Sequence, residues 1–283
     1  MTRKTIILIL AVSFFSAALG SPAFTRSRST FARSQDERSF TPLQLEIAKQ
    51  RERLNSAEME ERRDAVTRLG AMRRAEASRA ALAALNDVSA IVRVTAAGAI
   101  LFLPGDEAAA ALIPLLNDKD EFVRQEVAYA LGRTGSKTAV APLIERLMKD
   151  KKHGVRGAAA VSLGRLGDES AVVPLANVLA PTSSNRGRGS RNKDNVFVLR
   201  ATAVSLGQIR SRAAIPGLIA TLEDEKTETD VRREAARALG LIGDPAAEPA
   251  LRKLTTASDA HLALTAYEAL RRISNLQKGL PGS

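Results

Sequence analysis

One ten-residue unit recurs along this chain, and it constrains the fold more than any other feature. Val123–Gly132 reads VRQEVAYALG, Val155–Gly164 reads VRGAAAVSLG, Val231–Gly240 reads VRREAARALG, and a weaker copy at Val198–Gly207 reads VLRATAVSLG. Aligned on the leucine, the copies fall at Leu69, Ile100, Leu131, Leu163, Leu206, Leu239 and Leu270, with spacings of 31, 31, 32, 43, 33 and 31 residues. Self-similarity at such a period means stacked supersecondary units, none of which buries its apolar face alone.

Each copy places apolar or small residues at i, i+4 and i+8: Val123, Val127, Leu131; Val155, Ala159, Leu163; Val231, Ala235, Leu239. That spacing makes one stripe on a helix. Alanine stands three residues before the anchor in five copies (Ala97, Ala128, Ala160, Ala203, Ala236), where a small side chain admits a neighbouring helix. The glycine after the anchor (Gly70, Gly132, Gly164, Gly207, Gly240) suits a helix end, since a left-handed residue costs glycine little. Five residues after the anchor come Ser136, Asp168, Ser211 and Asp244, side chains able to cap a second helix. Pro142, Pro174, Pro216 and Pro249 then sit near its first turn, and Leu85, Leu116, Leu147, Leu179 and Leu222 lie sixteen residues after the anchor. The expected fold is all-α: a right-handed solenoid of about seven helical hairpins, with the second helices lining the concave face.

The VRxxAxxxLG-x-x-GD pattern resembles the HEAT-like repeats of the phycobilisome-lyase type, over roughly residues 56–272. Two enzyme families share this architecture. Deoxyhypusine hydroxylase, as a family, implies a diiron centre held by repeated His-Glu pairs. Here His153 is followed by Gly154 and His261 by Leu262, so those ligands are lacking. The bilin lyases imply a pigment–protein substrate inside the cell.

The ends differ from the repeats. Arg3 and Lys4 precede the apolar run Thr5–Gly20, which reads as a secretory leader ending at Gly20 or Ala23. The expected location is therefore periplasmic or extracellular, or membrane-anchored where the leader is retained. That address conflicts with the bilin-lyase expectation. Residues 21–40, rich in Ser and Arg, read as a flexible linker; 41–55 as an N-terminal capping helix opened by Thr41-Pro42; and 273–283 as a C-terminal tail. The long step contains Pro181–Asn195, PTSSNRGRGSRNKDN, which reads as a disordered insertion.

The formal charge is +11, but much of the excess is outside the repeats. The leader carries +2, residues 21–40 another +2, and the insertion +3 through Arg186, Arg188, Arg191 and Lys193 against Asp194, leaving +4 for the rest. There is no Trp. A specific nucleic-acid interface, which needs a placed basic stripe and stacking aromatics, is not expected. The insertion's cations instead suit contact with an anionic surface.

Arg62, Arg93, Arg124, Arg156 and Arg232 occupy equivalent positions, and Asp87, Asp118 and Asp150 lie in the turns six residues before three of them. Stacking brings such arginines to turn carboxylates or helix-end carbonyls, so they are expected to form a ladder that fixes register between repeats. Chemistry has few candidates. The chain has no Cys and two His, so thiolate and paired-histidine metal sites are absent from the sequence, and no cofactor is expected. No nucleophile elbow or phosphate loop is found; the RGRGS run at Arg186–Ser190 lacks the third glycine of a dinucleotide fingerprint. The expectation is a monomeric, exported, non-catalytic scaffold for a protein partner, with Glu145, Arg146, Asn177 and Lys253 as groove contacts. The runner-up is a bilin-lyase-like enzyme or assembly factor.

Overall fold

A computed structural model describes residues 40–180 and 195–279. The expected leader, all of the linker but Phe40, the insertion up to Asp194 with its four cations, and the last four residues lie outside the described residues. No strand occurs among the described residues, and no helix among them is long and apolar enough to cross a membrane.

Helix α1, Pro42–Arg53, covers the N-terminal end of the stack, burying Ile47 and Gln50. The recurring motif then forms α2 (Met59–Ala71), α4 (Ala90–Ala99), α6 (Glu121–Thr134), α8 (His153–Leu166), α10 (Val196–Ile209), α12 (Thr229–Ile242) and α14 (Ala260–Gln277). Between them lie the second helices: α3 (Ala75–Ala81), α5 (Gly105–Leu112), α7 (Val140–Lys149), α9 (Val172–Leu179), α11 (Ile215–Glu223) and α13 (Glu248–Leu254). The seven expected repeats are all present, the last with its motif helix alone. Ser136, Asp168, Ser211 and Asp244 cap as their types predict, accepting from the backbone N–H of Thr138, Ser170, Ala213 and Ala246. Each opens a short 3-10 turn that leads into its second helix.

The apolar stripe of α6, α8 and α12 is buried: Val123, Val127, Leu131, Val155, Ala159, Leu163, Val231, Ala235 and Leu239 are all inaccessible. A fully buried leucine or valine is worth about 1.5–3 kcal/mol, so this one continuous core supplies the stability that the Cys-free chain cannot draw from disulfides.

The motif glycines do a different job from the expected one. The helices run on past them, and the left-handed cap comes three residues later, at Gly135, Gly167 and Gly243 with φ of 70°, 62° and 77°. A glycine three residues on was legible in those copies; only the structure shows which one ends the helix. The motif glycine is an approach point. A Cβ on Gly132 would lie 2.7 Å from the Cα of Ser162, one on Gly207 2.9 Å from that of Ala238, and one on Gly240 2.8 Å from that of Ala269. Each faces the small residue just before the anchor of the next helix. Ser162 and Ser205 use this closeness to donate to the carbonyls of Ala128 and Ala160 across the interface, at 2.7 and 2.8 Å.

This spacing also corrects the expected curvature. Motif helices touch one another closely along their whole row, whereas second helices meet their like only sparsely. A stack bends toward its more tightly spaced row, so the motif helices form the inner wall and the second helices the outer one. The tail is shorter than expected: α14 stays helical to Gln277 because Ile273 is buried in the core.

Candidate functional site

The arginine ladder is built as a set of bridges between turns. Arg93, nearly buried, donates from Nε and Nη2 to both carboxylate oxygens of Asp118 at 2.8 Å, and from Nη1 to the carbonyls of Asp87 and Val88 at 2.8 and 3.2 Å. Arg62 makes the same fork to Asp87 (2.7 and 2.9 Å) and Arg124 to Asp150 (2.8 and 3.1 Å). Each guanidinium thus ties its own preceding turn, through carbonyls, to the next turn, through a carboxylate. The planar five-donor fork is what makes arginine the residue for this position.

The carboxylates respond. At Asp87 the Arg62 hydrogen bond, helped by the Ser89 N–H, holds the acid below its ordinary range against the cost of burial. At Asp118 and Asp150 burial is the largest single influence and acts upward. It is outweighed by the arginine fork, a backbone N–H and neighbouring positive charge, so both acids are lowered. The later rungs differ. Arg156 and Arg232 donate to the carbonyls of Leu147 and Leu222 at 2.7 and 2.9 Å. At Leu199 there is no arginine, and Asp224, the turn acid of that step, accepts from Lys226 N–H and Thr227 Oγ1 at 3.0 Å.

The groove contacts expected from sequence fall on the outer row. Glu145 is exposed on α7 and is met by Arg146 at 3.2 Å and Lys149 at 3.4 Å. Arg146 reaches back toward the Leu116 carbonyl, Asn177 is exposed on α9, and Lys253 on α13 pairs with Glu223 at 2.7 Å. They lie in three repeats and do not come together at one site.

A cleft does exist where the sequence offered no motif, on the inner wall near the C-terminal end. It encloses about 420 Å³ between Arg200 of α10, Asp230, Arg233, Glu234 and Arg237 of α12, and His261, Leu264, Thr265 and Glu268 of α14. Its floor follows from the motif: these residues occupy the motif-helix face away from the second helices, where side chains of adjacent motif helices meet, as Arg200 of α10 meets Glu234 of α12. In α6, α8 and α10 that face carries Phe122, Tyr129, Val161, Phe197 and Val204; in α12 and α14 it turns charged. Within the cleft Glu234 accepts from Arg237 at 2.6 Å and lies 3.7 Å from Arg200, and Asp230 is held by Arg233. Glu268 has no hydrogen-bond or ion-pair partner among the described residues. The cluster was hidden because it is assembled from three repeats. The available signal was the run of charges in Asp230–Arg237, which fills all four of these positions in one helix.

His153 and His261 begin α8 and α14, with α10 and α12 between them. No group of three or more His, Cys, Asp or Glu among the described residues is placed to hold a metal ion. The residues present do not fit the diiron centre that the deoxyhypusine hydroxylase resemblance implies.

Comparison with known proteins places the chain. A family model described as HEAT repeats matches residues 47–131, 109–191 and 225–281, and one described as PBS lyase HEAT-like repeat matches 198–224. Deoxyhypusine hydroxylase of Gallus gallus is 45% identical over 76 residues, 27% of this chain and 25% of that protein. The Homo sapiens enzyme is 36% identical over 85 residues, 30% of this chain and 28% of that protein. The chain therefore spans about a quarter of the length of the curated relatives it matches. Among solved structures, the complex of CpcE and CpcF of phycocyanin lyase from Nostoc sp. has a TM-score of 0.47 at 24% identity, covering 92% of this chain and 100% of that one. Human deoxyhypusine hydroxylase has a TM-score of 0.41 at 22% identity, over 81% and 84%. Relatives that are enzymes overturn the expectation of a non-catalytic scaffold drawn above, and with it the placement of the chain outside the enzymes. The repeat register, the stacked hairpins and a family model that covers more than half of the residues agree: the chain belongs to the HEAT-repeat family.

Proposed function

We propose that this protein works in protein modification, and that the α10–α12–α14 cleft holds an amine-bearing side chain of a polypeptide substrate. The relatives are named for hydroxylation of deoxyhypusine, a lysine-derived amine. The observation that carries the reading is Glu268. Every other carboxylate in the cleft is already neutralised by an arginine, whereas Glu268 is free to take a cation. Arg200, Arg233 and Arg237 hold Asp230 and Glu234 in place and keep a second cation from settling there. A charged hydrogen bond of this kind contributes about 1.5–3 kcal/mol. No step is assigned to a metal, since no set of donors among the described residues fits one.

The test is calorimetric binding of one peptide in two forms, carrying deoxyhypusine or an uncharged acetylated lysine at the same position. The deoxyhypusine form should bind more tightly by about tenfold or more, and Glu268→Gln should remove the difference. Equal binding of the two forms to the unaltered protein would overturn the reading.

A further inference from the structure

Arg62, Arg93, Arg124, Arg212, Arg233, Arg237 and Arg252 are each held by a carboxylate. Arg133, Arg165 and Arg272 have no such partner among the described residues, and all three occupy one register position, two residues after the anchor. They share the inner-wall face of α6, α8 and α14, and the same position holds Gln208 in α10 and Leu241 in α12. Arg271 and Arg272 also line a second hollow of about 410 Å³ beside the cleft, together with Arg237 and Glu268.

Two further arginines stand at the left-handed cap, four residues after the anchor. Arg73 has φ 52° and Arg210 φ 58°, where other copies use glycine. A non-glycine residue there costs about 1–2 kcal/mol of backbone strain. Arg73 lies over the Phe102 ring at 5.9 Å, and Arg210 has no partner among the described residues. The strain is retained where glycine would relieve it, and retained strain marks positions kept for a task other than stability.

We propose that this rim, the C-terminal ends of the motif helices, is a docking strip for an extended acidic polypeptide. Charge complementarity selects the sign: Arg133, Arg165 and Arg272 have no carboxylate partner among the described residues, and cations outnumber the acids Glu126 and Glu268 beside them. Spacing selects the form. Packed helices stand about 8–10 Å apart, which is close to the rise of three residues of extended chain, so acidic residues three apart meet Arg133 and Arg165 on the adjacent α6 and α8. Tyr129, Val161 and Val204 run beside the arginine row and offer apolar contact between those points. A nucleic acid matches less well, because that row gives a single aromatic for stacking. The inference rests on the reading that the substrate is a polypeptide, and it names the sequence that flanks the modified side chain.

The experiment uses the full chain, a fluorescent peptide about fifteen residues long with Glu at every third position, and the same peptide with Gln. The acidic peptide should bind at least about tenfold more tightly, and weaken as salt rises. The double variant Arg133→Gln/Arg165→Gln, at two exposed residues with no hydrogen bond or ion pair among the described residues, should bind the two peptides alike while its circular dichroism is unchanged. Equal binding of the two peptides to the unaltered protein, or an unchanged preference in the double variant, overturns the strip. So does tighter binding of an oligouridylate of the same charge through the same arginines, which would make the partner a nucleic acid. Glu268→Gln separates the two readings. It should spare the acidic-peptide preference while removing the deoxyhypusine preference, so that either one can fail alone.

Discussion

The same substitution, glycine to alanine within a motif helix, is expected to have opposite effects at two positions. At Gly98 of α4 nothing lies within 4 Å of an added Cβ, so the helix simply gains a better former. Alanine is favoured over glycine by about 0.8–1 kcal/mol in a helix interior. At Gly132 of α6 the added carbon would sit 2.5 Å from Ser162 Oγ and 2.7 Å from its Cα. Carbon atoms rest at about 3.5–4 Å, so α6 and α8 must part by close to an ångström, or Ser162 must give up its 2.7 Å bond to Ala128 O. Overpacking of this kind costs about 1–3 kcal/mol and the lost hydrogen bond about 1 more, against the propensity gain of about 1. The net expectation is Gly98→Ala stabilised by about 0.5–1 kcal/mol and Gly132→Ala destabilised by about 1–3. Thermal unfolding followed by circular dichroism reads both, at about 2–4 °C per kcal/mol for a domain of this size. If Gly132→Ala melts at or above the unaltered protein, the close-approach account of the motif glycine is wrong.

Two further outcomes follow from the rungs and caps. Arg93→Ala should cost about 3–5 kcal/mol in denaturant unfolding, because it leaves Asp118 buried without its cation; a loss under 1 kcal/mol would reduce the ladder to ornament. Since Asp87, Asp118 and Asp150 are lowered in the fold, their stabilisation is full above the ordinary carboxylate range near pH 4. It disappears as pH falls through the lowered folded values, so Asp118→Asn should flatten the acid limb of the stability curve. Arg210→Gly should raise the melting temperature by relieving about 1 kcal/mol of left-handed strain, and a decrease would show that the arginine is held by contacts within the fold.

Much of this was legible in the chain itself. Period, helical stripe, capping residues and arginine register are properties of residues close in sequence, and a seven-fold repetition averages away local ambiguity. Val123, Val127 and Leu131 announce one face of one helix wherever they occur, and Ser136 or Asp168 announces a cap, because those choices are settled within about two turns of backbone. The ladder was legible as a set of equivalent arginines. Its partners were only half legible: sequence placed Asp118 near Arg124, whereas its carboxylate belongs to Arg93, one repeat back.

What the tertiary structure alone decided depends on distances between helices. Whether Gly132 or Gly135 ends α6 turns on the approach of α8, which no local rule contains. Which row is concave follows from the difference in spacing between two rows of helices, a quantity summed over the whole stack. The cleft around Glu268 gathers side chains from Arg200 to Glu268, and which of its charges are paired is settled only by the packing of three helices. Sequence fixes what each helix is made of; packing between repeats fixes which charges are left without a partner, and those are the ones a substrate can reach.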